Sequence, residues 1–171
     1  LDNYLKSLDP NRMILLQADI DEFNRNRNNL DNDLSAGKLA TAQMVYQRYY
    51  ERYSARLDWV VQQVEPLVKN ETFTGDDEIE IDRKDSPWPA DMQEADQLWV
   101  RYLKNDILAL RLADKPTDNI GATLTRRFQT QKDRLDKQSP MDNFEIFMNA
   151  YTELYDPHTN FMSPKSAENF D

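Results

Sequence analysis

The sequence predicts a mainly α-helical domain, a bundle of about six helices with one short strand segment near residues 78–82. Apolar residues recur at three- and four-residue spacing over most of the chain. Glycine and proline supply only 3 and 8 of the 171 residues, so few tight turns are available. A chain of this length encloses one hydrophobic core. We therefore expect a single domain over residues 1–171, built from long amphipathic helices.

The first two predicted helices lie in the N-terminal half of the chain. One apolar stripe predicts a helix over residues 18–36, and Gly37 is placed to end it in a left-handed conformation. A second stripe should form the longest helix. Pro66 falls in the tail of this stripe, where it removes a backbone hydrogen bond, so we expect a kink or a stop there. The stripe consists of Ala42, Val45, Tyr46, Tyr49, Tyr53, Leu57, Val60, Val61 and Val64.

The helical pattern disappears between the second and third predicted helices, over residues 69–90. Ile79 and Ile81 alternate with acidic residues there, which is the period of two expected of a short strand. A lone strand leaves its backbone groups unpaired, so this one should pair with an element outside the chain or in a neighbouring domain. The motif Ser86-Pro87-Trp88-Pro89 predicts a stiff, extended linker.

The remaining helices are predicted from their start signals. Asp91 and Glu94 have the spacing of a capping box, ahead of a broad apolar face that ends near Ala113. After a break at Lys115-Pro116, Thr117 is placed to cap the next helix. Serine followed by proline is a strong start signal, because serine caps free N–H groups and proline suits the first helical position. This pair occurs at Ser139-Pro140 and at Ser163-Pro164. The second pair precedes a terminal helix over residues 165–170, which should be incomplete.

Composition excludes several classes of function. The chain has 31 acidic and 21 basic residues and a net charge of -10, which disfavours nucleic-acid binding. Because it has no cysteine and a single histidine, thiolate chemistry, disulfides and the usual zinc sites are excluded, and no cofactor motif is present. The longest apolar run, Met13-Ile14-Leu15-Leu16, is far shorter than the roughly 20 residues that cross a bilayer. The chain is therefore predicted not to span a membrane.

Three patterns resemble known sites, and each has a more ordinary interpretation. Ser35 and Lys38 match the S-x-x-K pattern of some serine acylases, but Gly37 should end a helix between them and separate the side chains. Asp31 opens a sequence similar to a calcium loop, yet the glycine is one position late and the twelfth residue is not glutamate. The acidic residues 76–82 could hold a hard cation, although a solvated strand edge is favoured.

Several segments become informative when they are read in chain order. They are Tyr4-Leu5-Lys6-Ser7-Leu8-Asp9-Pro10, Ala18-Asp19-Ile20-Asp21-Glu22-Phe23, Ser86-Pro87-Trp88-Pro89-Ala90, Leu98-Trp99, Lys104-Asn105-Asp106, Thr123-Leu124-Thr125-Arg126-Arg127 and Phe147-Met148-Asn149-Ala150-Tyr151-Thr152. The most specific is Asp156-Pro157-His158-Thr159-Asn160-Phe161-Met162-Ser163-Pro164. Over essentially its whole length, the chain resembles the N-terminal helical domain of the tail-specific, or C-terminal processing, proteases of the Prc/Tsp type. Met162 departs from the family, in which an aromatic residue or leucine is more usual at this position.

The resemblance implies a fragment of a periplasmic serine endopeptidase whose PDZ and protease domains lie beyond residue 171. Such an enzyme recognises apolar C-terminal tails of protein substrates through its PDZ domain and cleaves with a serine/lysine dyad. The resemblance implies no catalytic, cofactor or metal residue in this chain, which by itself should be inactive. The domain is expected to support the protease platform, enclose substrate and present a surface to a helical-repeat adaptor lipoprotein.

The resemblance places a junction between domains at residues 156–164. Its predicted members are Asp156, Pro157, His158, Thr159, Asn160, Phe161, Ser163 and Pro164. The residues themselves predict only that His158 lies in a turn. Two alternatives stay open: a free-standing helical adaptor that binds a partner through an exposed groove, and a cation-binding protein that uses residues 76–82. A reading frame continuing past Asp171 into a protease would favour the domain over the adaptor.

Overall fold

The chain folds into a mainly α-helical bundle, as the sequence predicts. The structure, a computed structural model, describes residues 1–114, 116–156 and 158–168, and within these ranges it contains eight helices and no strand. The helices are α1 (Asp2–Leu8), α2 (Gln17–Arg25), α3 (Arg27–Ser35), α4 (Ala40–Asn70), α5 (Met92–Leu112), α6 (Thr117–Asp136), α7 (Pro140–Thr152) and α8 (Pro164–Glu168). The predicted fold class is therefore confirmed.

Helix α4 is the centre of the bundle and, at 31 residues, its longest helix. Helices α3, α5 and α6 all pack against it, and α6 has the most extensive contact. The predicted apolar stripe faces this core: Val45, Val60 and Val64 have no exposed surface. The helix does not stop at Pro66 but continues to Asn70. Pro66 has no N–H to donate to the carbonyl of Gln62. Because Gln62 is exposed, water can bond this carbonyl instead, and the proline is tolerated.

The single helix predicted over residues 18–36 is instead two helices, α2 and α3, separated at Asn26. The side-chain amide of Asn26 donates to the carbonyl of Glu22 at 3.0 Å, and its backbone (φ -101°, ψ 9°) leaves the helical region. Asparagine side chains that bond nearby backbone compete with helix hydrogen bonds, which explains the break. Gly37 follows α3 in the predicted left-handed conformation, with φ at +66°. The break and the unpredicted α1 raise the helix count from about six to eight.

The strand predicted near residues 78–82 is wrong for the described part of the chain. Residues 71–90 form a connection without helix or strand that lies along α5, where the Tyr102 hydroxyl donates to the carbonyl of Glu80. Lys104 on α5 also pairs with Asp77 at 2.9 Å. A strand forms only when a neighbouring strand accepts and donates its backbone hydrogen bonds, and no described segment lies beside this one to do so. Ile81 is consequently 84% exposed.

Most of the predicted start signals are confirmed. Asp91 accepts the backbone N–H of Glu94 at 2.9 Å, and Ser139 accepts that of Asp142 at 3.2 Å. Each therefore caps the helix that follows it, α5 and α7. Thr117 is the first residue of α6 rather than its cap, because the extended backbone residue that precedes the helix is Pro116. Helix α8 begins at Pro164 as predicted; residues 169–171 and Lys115 lie outside the described residues.

Gly121 of α6 faces the side chain of Glu65 on α4. A methyl group added at this glycine would meet the carboxylate of Glu65, which is the flexible end of a side chain 60% exposed to solvent. Because the carboxylate can rotate into solvent, and glycine inside a helix costs about 0.5–1 kcal/mol relative to alanine, Gly121→Ala should raise the free energy of unfolding by about 0.5 kcal/mol. Urea denaturation measures the change. A loss of stability above about 1 kcal/mol would contradict the side-chain explanation.

Candidate inter-domain junction

The predicted junction residues lie against a polar stripe on α7. Glu145, Asn149 and Thr152 follow one another at four- and three-residue spacing, so they share one face of the helix. After the turn that follows α7, the chain reverses and runs back along this face. The Thr152 hydroxyl donates to the carbonyl of Thr159 at 3.3 Å, and the Asn149 side-chain oxygen accepts the N–H of Phe161 at 2.6 Å. We call this set of contacts, together with those of Glu145, the α7 ladder.

Asp156 organises the turn at the start of the returning chain. Its carboxylate accepts the backbone N–H of His158 and the hydroxyl of Thr159, each at 2.9 Å. The backbone N–H of Thr159 also donates to the Asp156 carbonyl at 3.1 Å. The hydrogen bond from the His158 backbone, followed by that from Thr159, holds the pKa of Asp156 below its usual value. His158 contributes its backbone to a turn, and its side chain is exposed.

The far end of the ladder joins the returning chain to α8. Ser163 is 1% exposed, and its N–H donates to the Glu145 carboxylate at 3.4 Å. The hydroxyl of Ser166, in the first turn of α8, donates to the same carboxylate oxygen at 2.9 Å. Bonds from Ser163 and then Ser166 lower the pKa of Glu145. One charged side chain on α7 thus fixes the start of α8, which places the helix relative to the bundle.

The same segment contains an aromatic contact and three exposed apolar side chains. Phe161 is half-buried and packs edge-on against Phe144 of α7, with ring centroids 5.2 Å apart. In the chain between α7 and α8, Leu154, Tyr155 and Met162 are 64%, 77% and 41% exposed. We call these three residues the junction patch. Because these side chains are exposed, another protein surface can reach them.

Most of the predicted junction residues lie close to α7, but the α7 residues that bond them were not predicted from the sequence. The residues placed along α7 or in its following turn are Asp156, His158, Thr159, Phe161 and Ser163, and Pro164 begins α8. Asn160 is exposed, and Pro157 lies outside the described residues. Sequence reasoning did not identify the supporting residues Glu145, Asn149 and Thr152. Their four- and three-residue spacing on the polar face of α7 was the pattern that could have identified them.

The other patterns singled out in the sequence do not assemble into chemical sites. The Ser35 hydroxyl donates to the carbonyl of Asp31 at 2.8 Å, and no hydrogen bond within the described ranges joins it to Lys38. Asp33 accepts the backbone N–H of Thr41 at 2.8 Å and so stabilises the start of α4. Across residues 1–114, 116–156 and 158–168, no three histidine or carboxylate side chains converge in a way that could hold a metal ion.

A surface groove lies between the start of α4 and the start of α7. It encloses about 320 Å³ and contains no carboxylate, lysine or histidine. Its lining residues are Leu39, Ala42, Gln43, Tyr46, Gln47, Gln138, Ser139, Pro140, Asn143, Phe144 and Phe147. Such a groove can bind an apolar group but offers no general acid or base. No helix in the described part of the chain has the length and apolar character needed to cross a bilayer.

Comparison with known proteins decides the family. The family model described as the tail specific protease N-terminal domain matches residues 1–165. This chain belongs to that family. As a member of the tail specific protease N-terminal domain family, it is also similar to the tail-specific protease of Haemophilus influenzae, with 37% identity over 174 aligned residues. The match covers 99% of this chain and 24% of that relative, so the domain spans about a quarter of the relative's length.

Proposed function

We propose that this chain is the noncatalytic N-terminal domain of a tail-specific protease and acts as the scaffold for the rest of that enzyme. The α7 ladder is the observation that carries the proposal. It attaches the chain after α7 to the helical bundle through Asn149, Glu145 and Thr152, so the start of α8 is held in a fixed position against α7. Preorganised geometry of this kind reduces the ordering cost of domain contact.

The parent enzyme is proposed to be a periplasmic serine endopeptidase with a serine/lysine dyad and a PDZ domain beyond residue 171. The name of the Haemophilus influenzae relative supports activity on protein tails. Composition supports a noncatalytic part for this domain, because it has no cysteine and its one histidine is exposed in a turn. We place the junction at residues 156–164 and propose that the domain also encloses substrate and presents a surface to a helical-repeat adaptor lipoprotein.

The junction patch supports direct contact with the rest of the parent. Leu154 and Tyr155 follow α7 immediately, and Met162 precedes α8, so the patch flanks the ladder on the same return of the chain. Covering these side chains would add a favourable apolar contribution to the directional hydrogen bonds of the ladder. The ladder then sets the direction of the following domains, and the patch holds them against the bundle.

Removing the central bond of the ladder tests this function. In the parent enzyme, Asn149→Ala should lower turnover of an unstructured protein substrate by about tenfold, because small displacements of catalytic parts are costly. The same substitution in residues 1–171 should lower the free energy of unfolding by about 1 kcal/mol, the net value of one hydrogen bond. Turnover is measured by substrate degradation on gels, and stability by urea denaturation.

Asn160→Ala is the matched control, since it removes an exposed amide from the same returning chain. We expect it to leave both turnover and stability unchanged. If Asn149→Ala destabilised the isolated domain while the parent kept full turnover, the ladder would not orient the catalytic parts, and the scaffold function would be contradicted.

A second candidate is a protein-interaction domain with no part in proteolysis. The apolar groove between α4 and α7 favours it, because Tyr46, Phe144 and Phe147 could accept a side chain from a partner helix. Family membership favours the first function. A reading frame that ended near residue 171 would support the second function, and one that continued into a protease would support the first.

A further inference from the structure

We propose that a surface cavity between α4 and α5 binds an uncharged, non-helical peptide segment of a partner protein, and that Arg56 donates to a backbone carbonyl of that segment. The cavity has a volume of about 510 Å³. It lies where Arg56 of α4 pairs with Asp96 of α5. The inference is independent of the scaffold function, because it concerns this face of α4 rather than the chain that follows α7.

The Arg56 side chain is buried but has few hydrogen-bond acceptors. It is 5% exposed, and its Nη1 donates to the Asp96 carboxylate at 2.5 Å. No other residue in the described ranges accepts a hydrogen bond from this guanidinium. A guanidinium carries five N–H donors, and a buried donor that lacks an acceptor is costly. Because Arg56 lines the cavity, a ligand bound there can supply the missing acceptor.

Another arginine of the chain shows what such a side chain binds. The Arg111 guanidinium lies over the ring of Phe73, with its central carbon 5.0 Å from the ring centre. It also donates to two backbone carbonyls, that of Val68 at 2.8 Å and that of Glu71 at 3.0 Å. The aromatic ring holds one face of the planar group, so its N–H donors point sideways to the carbonyls. We call an arginine held in this way an arginine clamp.

Arg12 forms a second arginine clamp, and Arg56 forms only half of one. Arg12 lies 5.5 Å from the centre of the Trp88 ring and donates to the carbonyl of Ser86 at 2.7 Å. Arg56 lies 4.7 Å from the centre of the Trp59 ring but donates to no backbone carbonyl of the described residues. Carbonyls inside helices and sheets are already bonded. A partner segment that completes the clamp therefore has irregular backbone.

The charges around the cavity favour an uncharged segment. Arg48 and Arg52 also line it, and both pair with the buried Asp19, at 2.7 Å and 2.9 Å. Arg56 is neutralised by its ion pair with α5, and Glu51 adds an exposed carboxylate to the lining. An anion would meet carboxylates from two helices, and a cation would meet three arginines. The site lacks acceptors rather than negative charge, so a neutral carbonyl fits it best.

The rest of the lining is apolar and suits an aliphatic side chain. Ile14, Ala55, Trp59 and Met92 contribute to it. Met92 is 48% exposed, so this surface is open to a partner. Covering apolar surface is favourable, and it would add to the hydrogen bond from the clamp. The fitting segment therefore carries a leucine or a residue of similar size beside a free backbone carbonyl.

The probe is a synthetic peptide of glycine, leucine and glycine, acetylated and amidated so that it has no charge. Titrated into ¹⁵N-labelled residues 1–171, it should shift the Nε–H resonance of Arg56 and bind saturably, with a Kd of about 1 mM or lower. The same peptide with trans alkenes in place of both amides of the leucine keeps its shape but loses these acceptors. It should bind about tenfold more weakly. A peptide with glutamate in place of leucine should bind more weakly as well.

Two lysine variants separate binding at Arg56 from a general loss of stability. Arg56→Lys keeps the charge that pairs with Asp96 but loses the planar set of donors, so it should weaken binding by about tenfold. Arg111→Lys is the matched control, because it changes a clamp whose carbonyls come from the chain itself, and it should leave binding unchanged.

The comparison of the two peptides on the wild-type chain decides the proposal even if a variant folds poorly. Equal binding of the amide and alkene peptides would overturn it, since no carbonyl would then be recognised. Tighter binding of the glutamate peptide would overturn it in favour of an anion site. Absence of saturable binding would show that water alone satisfies Arg56, and unchanged binding by a folded Arg56→Lys would place the peptide elsewhere; each would also overturn the proposal.

Discussion

Replacing Asp19 with alanine should lower the free energy of unfolding by about 3 kcal/mol. The Asp19 side chain is 1% exposed and accepts hydrogen bonds from Arg48 at 2.7 Å and from Arg52 at 2.9 Å and 3.0 Å. It also accepts the backbone N–H of Leu16 at 3.0 Å, at the start of α2. Breaking a buried ion pair from one side costs about 3–5 kcal/mol. We expect the low end, because both arginines are about a third exposed and can be hydrated.

Urea denaturation of Asp19→Ala and a control checks this result. Asp21→Ala removes an exposed carboxylate from the same helix and should change stability by less than about 0.5 kcal/mol. Asp19→Asn keeps an acceptor for Leu16 but loses the charge, so its cost should be intermediate. If Asp19→Ala were as stable as Asp21→Ala, the pairing of α2 with α4 would contribute nothing to the fold.

The cost of losing Asp19 should depend on pH. Burial, the largest single influence, raises the pKa of Asp19, but hydrogen bonds from Arg52, Leu16 and Arg48 together bring it below the ordinary value of 3.8. A depressed pKa in the folded state means that the stabilisation is fully present above pH 3.8 and is lost as the pH falls through the lower folded value. The stability difference between the wild-type chain and Asp19→Ala should therefore be constant near neutral pH and shrink below about pH 4.

Tyr4→Ala should cost about 4 kcal/mol, the second large effect. Tyr4 is 1% exposed on α1, and its ring packs edge-on against Phe147 of α7 with centroids 5.1 Å apart. Its hydroxyl donates to the side-chain oxygen of Asn143 at 2.7 Å. Burial raises the pKa of Tyr4, so the hydroxyl stays protonated and keeps donating over the ordinary pH range. Truncation removes an aromatic core side chain and leaves Asn143 without this donor.

Tyr4→Phe divides the cost of Tyr4→Ala into ring and hydroxyl contributions. It keeps the ring and removes only the hydroxyl, so it should cost about 1–2 kcal/mol. Guanidinium denaturation measures both variants, and near-ultraviolet circular dichroism reports whether packing around the ring persists. A cost below about 1 kcal/mol for Tyr4→Ala would show that α1 does not support α7, the helix that carries the ladder.

Apolar periodicity was sufficient to predict the main helices of this fold. The stripe from Ala42 to Val64 predicted α4, because apolar residues at consistent spacing over six turns define a single face of the helix that can be buried. Capping residues such as Asp91 and Ser139 fixed helix starts because they satisfy backbone donors locally. Helix α1 was missed, since its seven residues contain too few turns for a period to appear.

Features that depend on distant partners were not predictable. No sequence pattern around Asp19 indicated that it would be buried, and the arginines of α4 that pair with it explain its burial. The alternation at Ile79 and Ile81 predicted a strand that does not form, because strand formation depends on a partner segment. The resemblance predicted a junction at residues 156–164, whereas the contacts of Asn149 and Glu145 depend on the return of the chain along α7, which no local pattern indicates.

The proposed scaffold function requires that residues 1–171 contain no proteolytic chemistry of their own. The most direct measurement compares residues 1–171 with the parent enzyme in degrading an unstructured, fluorescently labelled protein at equal molar concentration. We expect the parent to degrade it and the isolated domain to release no fluorescence above buffer. Hydrolysis by the isolated domain that co-purifies with it through successive columns would contradict the claim.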